Sequence, residues 1–198
     1  MTTAEAGALG DGLRIERARA LDPGAAHALL APLVRGGAPL GWLEPPGTDE
    51  VTALLDRVLT AVRAGDGSLR AAYLGEDLVG FGYWLRYTRP THRPHADLER
   101  LAVDGAAHGH GIGRALTAAL VADARRAGIE VLTLDARGDN TRAIGLYESL
   151  GFREYGRLPD FVAVGPRRYD KVFHVLDLRP GRHGGGAEDA AQGSRSVT

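Results

Sequence analysis

The chain has no cysteine. That absence excludes a disulfide framework, a thiolate nucleophile and any zinc site built on thiolates, and it suits a reducing compartment. Net charge is scarce as well: 24 basic residues against 25 acidic ones leave a formal −1 and a pI near 6.7. So balanced a surface offers no bulk attraction to nucleic acid or to an anionic membrane, and neither is an expected partner. No apolar run approaches the roughly twenty residues of a membrane span, and the first residues lack the basic-then-apolar order of a signal peptide. A cytoplasmic location is the expectation. The chain also lacks Gly-Lys-Ser/Thr after its glycines, which removes the Walker type of nucleotide loop.

What the chain does have is concentrated in residues 98–116, LERLAVDGAAHGHGIGRAL. An apolar strand, a glycine-dense turn and a helix start follow in immediate succession. Gly109, Gly111 and Gly113 are expected to open φ values closed to other residues and to let backbone N–H groups crowd around an anion. The helix behind them adds its own unpaired N–H groups and the positive end of its dipole. A pyrophosphate fits such a turn without a lysine. A dinucleotide-binding turn is the nearest mimic, since Gly111, Gly113 and Leu116 fall near its glycine positions and Asp135 lies about where its ribose-binding acid would. Against it, residues 104–108 separate the strand from the first glycine, and Leu116 stands where a small residue is needed.

Periodicity supplies the frame. Residues 1–12 are small and polar and are expected to be flexible; residues 13–18 alternate as a strand does. Asp22-Pro23 caps a helix that stops at Gly36-Gly37, and Thr48 caps a second that ends at Gly65. Residues 69–74 and 78–87 form a hairpin, 88–95 a loop, and 96–103 a fourth strand. Leu116, Leu120, Ala124 and Ala127 line the buried face of the next helix, which Gly128 terminates. Residues 131–134 read as a strand buried on both faces and parallel to the fourth, giving a β-α-β crossover. A short helix over 141–150 stops at Gly151, and strands over 152–157 and 169–178 pair antiparallel. Residues 13–179 make one domain, followed by a disordered tail over 180–198.

The glycine turn, His108-Gly-His-Gly-Ile-Gly113, and the later block DNTRAIGLYESLGF, with Asn140, Tyr147, Gly151 and Phe152, carry a resemblance. On these residues the chain resembles the acetyl-CoA-dependent N-acetyltransferases of the GNAT superfamily, whose turn reads Arg/Gln-x-x-Gly-x-Gly/Ala. His108 departs from the usual Arg or Gln. The resemblance implies an α/β (α+β) GNAT fold: a mixed central sheet of about six to seven strands, splayed between strands four and five and flanked by about four helices. It implies acetyl-CoA as cosubstrate and no metal. The pyrophosphate falls to the turn formed by His108, Gly109, His110, Gly111, Ile112 and Gly113, with Arg114 beside it. The pantetheine pairs with the backbone of Leu101 and Val103, and Asn140 tethers the cofactor. Tyr147 becomes the acid that protonates the departing thiolate. The flanks VRGGAPLGWLEPP, ADLERLAV, VLTLDARG and GRLPDF extend the likeness, over most of residues 34–178, to a toxin-resistance branch of the superfamily.

Amide formation sets the remaining requirements. An alkyl amine, with an ordinary pKa of about 10.4, is protonated near neutrality and has no lone pair to attack a thioester. A base must take that proton; direct transfer then needs no covalent enzyme intermediate. Asp97 and Glu99 alternate with Leu98 and project to one face, and Asp135 ends the neighbouring strand, so any of the three can act directly or through water. The toxin-resistance branch favours Asp97 and Asp135; Glu99 is the commoner superfamily position. The Val103 N–H is the expected donor to the thioester carbonyl. Bland readings compete: Asp97 and Glu99 as a solvated strand face with Arg100 opposite, Tyr147 as core, Trp42 and Trp84 as packing and not as an acceptor wall. His92, His95, His108 and His110 lie in separate loops without the acid spacing of a metal site. The favoured function is acetylation of a primary amine on a small molecule, an antibiotic, toxin or amino-acid-like metabolite. A polypeptide α-amine or lysine is the alternative, and a non-catalytic acyl-CoA module the third class. A monomer and a homodimer fit equally well.

Overall fold

The computed structural model describes residues 12–107 and 109–180. The expected flexible start, the tail and His108 fall outside the described residues. In chain order the elements are β1 (Leu13–Arg17), α1 (Pro23–Arg35), α2 (Thr48–Arg63), β2 (Gly67–Leu74), β3 (Asp77–Arg86), β4 (His95–Val103), α3 (Ile112–Arg126), β5 (Val131–Arg137), α4 (Thr141–Ser149), β6 (Arg153–Val164) and β7 (Arg167–Asp177). The strands form one seven-stranded sheet in the order β1-β2-β3-β4-β5-β7-β6. Every neighbouring pair is antiparallel except β4 and β5, which the α3 crossover joins in parallel. No helix among the described residues is long and apolar enough to cross a membrane.

Local chemistry explains most boundaries. Asp22 accepts a hydrogen bond from the Ala25 N–H at 2.8 Å and Pro23 opens α1, as its missing N–H costs nothing there. The α2 cap lies one residue earlier than expected: Gly47 holds the cap position and Thr48 is already helical, so this helix has no side-chain cap. Apolar side chains on both sheet faces bury against helices and supply the main driving force, about 1.5–3 kcal/mol for each large one. One cluster sets Leu30, Leu55, Leu69, Phe81 and Tyr83 under α1 and α2; another sets Trp84, Leu98, Leu120, Leu132 and Phe152 among α3, α4 and the sheet.

Four further features differ from the periodicity reading. Residue Ala127 is the exposed C-cap of α3, not part of its buried face, while Asp123 on that helix is buried. Strand β5 is buried on one face only: Leu132 and Leu134 enter the core, whereas Thr133 is half-buried and Asp135 exposed. Strand β6 runs to Val164, past a bulge in which Asp160 takes φ +54°. Gly113 is helical and owes its place to packing, since a Cβ there would lie 3.2 Å from Leu146 Cδ1.

The sheet opens where chemistry is wanted. Strands β4 and β5 pair only through His95–Val131, Ala96–Leu132 and Asp97–Thr133, then separate. Beyond Asp97 the β4–β5 pairing does not continue, and the gap between the two strands becomes a cleft.

Candidate active site

The cleft has a volume of about 550 Å³ and is walled by β4 from Leu98 to Val103, the glycine turn, the end of β5 and the inner face of α4. Pairing explains how β4 presents its backbone there. Asp104 N–H donates to the Val79 carbonyl at 2.8 Å, so the peptide groups of alternate residues, Val103 and Leu101, turn away from β3 and toward the cleft.

At one end of the cleft, Gly109 and Gly111 adopt φ of +87° and +74°, and a Cβ on either would meet no protein atom within 4 Å. Gly111 caps α3 without a side-chain acceptor, leaving the first N–H groups of that helix directed at the turn. Arg114, in the first turn of α3, lines the same end, and Arg142 lines the cleft from the first turn of α4. An uncapped helix start, two glycines with open space and two guanidinium groups fit a pyrophosphate. Ile112 and Gly113 line the wall; the exposed His110 does not, and its Nδ1 lies 3.3 Å from the Ala107 carbonyl oxygen. Asn140 lines the cleft while its Oδ1 accepts from Ala143 N–H at 3.3 Å as the α4 cap. Arg142 was not singled out by sequence reasoning; an exposed arginine in a helix's first turn carries no signal of its own.

The other end is acidic. Asp135 lines the cleft and pairs with Lys171 at 3.0 Å. Tyr147 lines the cleft from α4, is only 7% exposed, and packs edge-on against Phe152. Its hydroxyl has no hydrogen-bond partner among the described residues. Burial first, then the negative charge of Asp135, pushes its pKa up to about 12, so it holds its proton at any working pH. Glu99 also lines the cleft, but Arg57 donates to both of its oxygens, at 2.8 and 3.4 Å, and Tyr83 donates at 3.2 Å. Asp97 stands at the last paired position of β4, off the cleft wall, and accepts from Thr133 Oγ1 at 2.5 Å. Burial raises its carboxyl above the usual range; the Thr133 bond opposes this, and the charges of Asp135 and Glu99 add to it.

A bulge decides where Arg100 points. Tyr83 pairs with Arg100 and Trp84 with Leu98, so Glu99 is the extra residue on β4. Strict alternation would send Arg100 to the face opposite Glu99. Instead both reach Tyr83, and Arg100 lies 3.9 Å over the Trp42 ring while donating to the Leu40 carbonyl at 3.2 Å. This pins the α1–α2 loop, whose residues Ala38 to Gly41 line the cleft. Trp84, buried at 1% exposure with its N–H on the Leu120 carbonyl, is packing.

Residues 32–152 match the model of the acetyltransferase (GNAT) family. The chain belongs to the GNAT family of acetyltransferases. Over 83 residues, 42% of this chain and 56% of the relative, it is 44% identical to the [ribosomal protein bS18]-alanine N-acetyltransferase of Escherichia coli. Over 89 residues, 43% of this chain and 28% of the relative, it is 42% identical to the mycothiol acetyltransferase of Sanguibacter keddieii. The matches thus span little more than half of one relative and under a third of the other. A solved phosphinothricin acetyltransferase from Sinorhizobium meliloti, in complex with AcCoA, superposes with a TM-score of 0.75 over 89% of this chain and 94% of that one, at 20% identity. The seven-stranded mixed sheet, parallel at β4–β5, with four helices among the described residues, is the GNAT fold.

Proposed function

We propose that residues 13–179 form one catalytic domain that transfers the acetyl group of acetyl-CoA directly to the primary amine of a small molecule. The observation that carries this reading is the meeting of Asp135 and Tyr147 in the one cleft that opens where β4 leaves β5. Acetyl-CoA supplies the activated acyl group. The glycine turn with Arg114 and Arg142 holds its pyrophosphate, and Leu101 and Val103 pair with its pantetheine arm as an added strand does.

Asp135 receives the acceptor's ammonium and is the first candidate for the proton, directly or through water. Asp97, its carboxyl raised by burial, is the second. Glu99, bonded to Arg57 and Tyr83, has its charge already answered and serves the cleft wall better than proton transfer. As nitrogen bonds to the acyl carbon and the carbon–sulfur bond breaks, Tyr147 gives its proton to the thiolate, a group with an ordinary pKa of about 8.5, and the second proton that the nitrogen sheds on becoming an amide restores the phenol. The pinned α1–α2 loop narrows the acceptor side, which supports a small acceptor. So does the likeness of the flanking segments to tabtoxin resistance protein, an acetyltransferase of a toxic β-lactam amino acid. The identity to the bS18-alanine enzyme supports a second reading, a polypeptide α-amine.

Thiol release from acetyl-CoA against amino-acid-like β-lactams, other amino acids, aminoglycosides, polyamines and short peptides tests this. Turnover with a small amine is the expected result; turnover with peptides alone would replace the small-molecule reading by the second.

A further inference from the structure

Lys171 is the only lysine in a chain with 23 arginines. Its Nζ lies 3.0 Å from Asp135 Oδ2 and sits over two rings, 5.8 Å from the Phe161 centroid and 5.4 Å from that of Phe173. Around the three carboxylates, the neighbouring arginines already have partners of their own. Arg57 serves Glu99, Arg137 serves Asp139 and stacks on Tyr169, and Arg100 braces the α1–α2 loop. Glu99 is bound by two side chains, whereas among the described residues Lys171 is the one cation paired with Asp135. Asp135 lines the cleft and Lys171 reaches it from β7, so an acceptor bound at Asp135 meets a charge pair held by a single contact.

We propose that this pair selects zwitterionic acceptors of the α-amino-acid type: the acceptor's ammonium replaces Lys171 at Asp135, and the acceptor's carboxylate takes Lys171. This inference rests on the small-molecule acetyltransferase reading above. A plain amine that displaces Lys171 takes the anion Lys171 was paired with and leaves its ammonium over two aromatic rings beside a second cation, with only the weaker, longer-range attraction of Asp97 to answer it. A zwitterion leaves both charges paired. In an α-amino acid the two groups hang from one carbon, so a compact acceptor can serve both halves of a pair only 3.0 Å apart. Phe161 and Phe173 hold the lysine in place through the exchange. Lys171 touches no reacting atom; it sets specificity.

Matched acceptors test the inference: L-phenylalanine against phenethylamine, L-lysine against cadaverine, and L-phenylalaninamide as the neutralised control. In the wild-type protein, kcat/KM is expected to favour each amino acid by about tenfold or more, the worth of one charge-assisted hydrogen bond. Lys171→Met should erase that preference mainly through KM, and Lys171→Arg should restore most of it. Equal use of amine and amino acid by the wild type, or a preference that survives in Lys171→Met, would overturn the role of Lys171. The wild-type comparison stands even if Lys171→Met fails to fold. Turnover of plain amines without preference discards the zwitterion rule and keeps the small-molecule reading; turnover of peptides alone discards both. Where no set turns over, calorimetric binding of the same compounds to the CoA-bound protein is read instead, and equal or absent binding of the amino acids overturns the proposal.

Discussion

Replacing Tyr147 by phenylalanine removes one oxygen from the wall of the cleft and, in the folded protein, almost nothing else. The ring is 7% exposed and packs against Phe152 with centroids 5.9 Å apart, contacts that phenylalanine keeps. The hydroxyl makes no hydrogen bond among the described residues, so no partner is orphaned, and stability should change by less than about 0.5 kcal/mol. Its catalytic loss should be far larger. With a pKa pushed up to about 12 by burial and by Asp135, the phenol is protonated throughout the working range and lines the same cleft as Asp135. Loss of a general acid costs about 10²–10⁴ in rate, or about 3–5 kcal/mol of barrier. The measurement pairs steady-state CoA release with calorimetric binding of CoA and a thermal melt. The expected pattern is a collapse in kcat with CoA affinity and melting temperature nearly unchanged. A kcat within threefold of wild type, or equal loss of turnover and CoA binding, would refute the assignment and make Tyr147 a packing residue.

Other outcomes follow from the same geometry. Gly111→Val should lose CoA binding, because it forces a β-branched residue to φ +74° and fills the space facing the turn; retained affinity by calorimetry would contradict the pyrophosphate site. Arg100→Ala should free the α1–α2 loop, raising acceptor KM with little change in kcat, as read from initial rates. Asp123→Asn should destabilise the fold by ~3 kcal/mol, the low end for breaking a buried pair, since Arg17 and Arg126 keep about half of their surface in water, as a urea titration will show. Burial alone would raise the Asp123 carboxyl, but bonds from Arg70, Ser68, Arg17 and Arg126 outweigh it and hold it well below the usual range. Its contribution is therefore present above the unfolded pKa of about 3.9 and lost as pH falls through the folded value, a loss that Asp123→Asn should abolish in acid titrations. Asp135→Asn should lower kcat/KM more than Glu99→Gln, since Glu99 is already bound by Arg57 and Tyr83, as initial rates will show.

Much of the fold was legible because local signals agreed. Asp22-Pro23, Gly65, Gly128 and Gly151 mark helix ends for stated steric reasons, and all four act there. The glycine turn declared itself through chemistry that only glycine permits at Gly109 and Gly111. What escaped depends on partners distant in sequence. The β4 bulge that swings Arg100 beside Glu99 is set by pairing with β3, so alternation along β4 alone misplaces it. Asp123 looks like a solvated helix residue until Arg17 and Arg70, from two strands, are folded onto it. Strand β5 looks apolar enough for burial on both faces, yet Thr133 is only half-buried and Asp135 is exposed. Lys171 gains its meaning only when β7 inserts between β5 and β6 and places it on Asp135.

The most direct test is a single turnover with acetyl-labelled acetyl-CoA and a small amine acceptor, quenched and resolved by mass into protein and product. Direct transfer within the β4–β5 cleft predicts the label in the amide of the small product and none on the protein. Label held covalently by the protein before it reaches the acceptor, or no label in any small amine while a peptide amine receives it, would contradict the account.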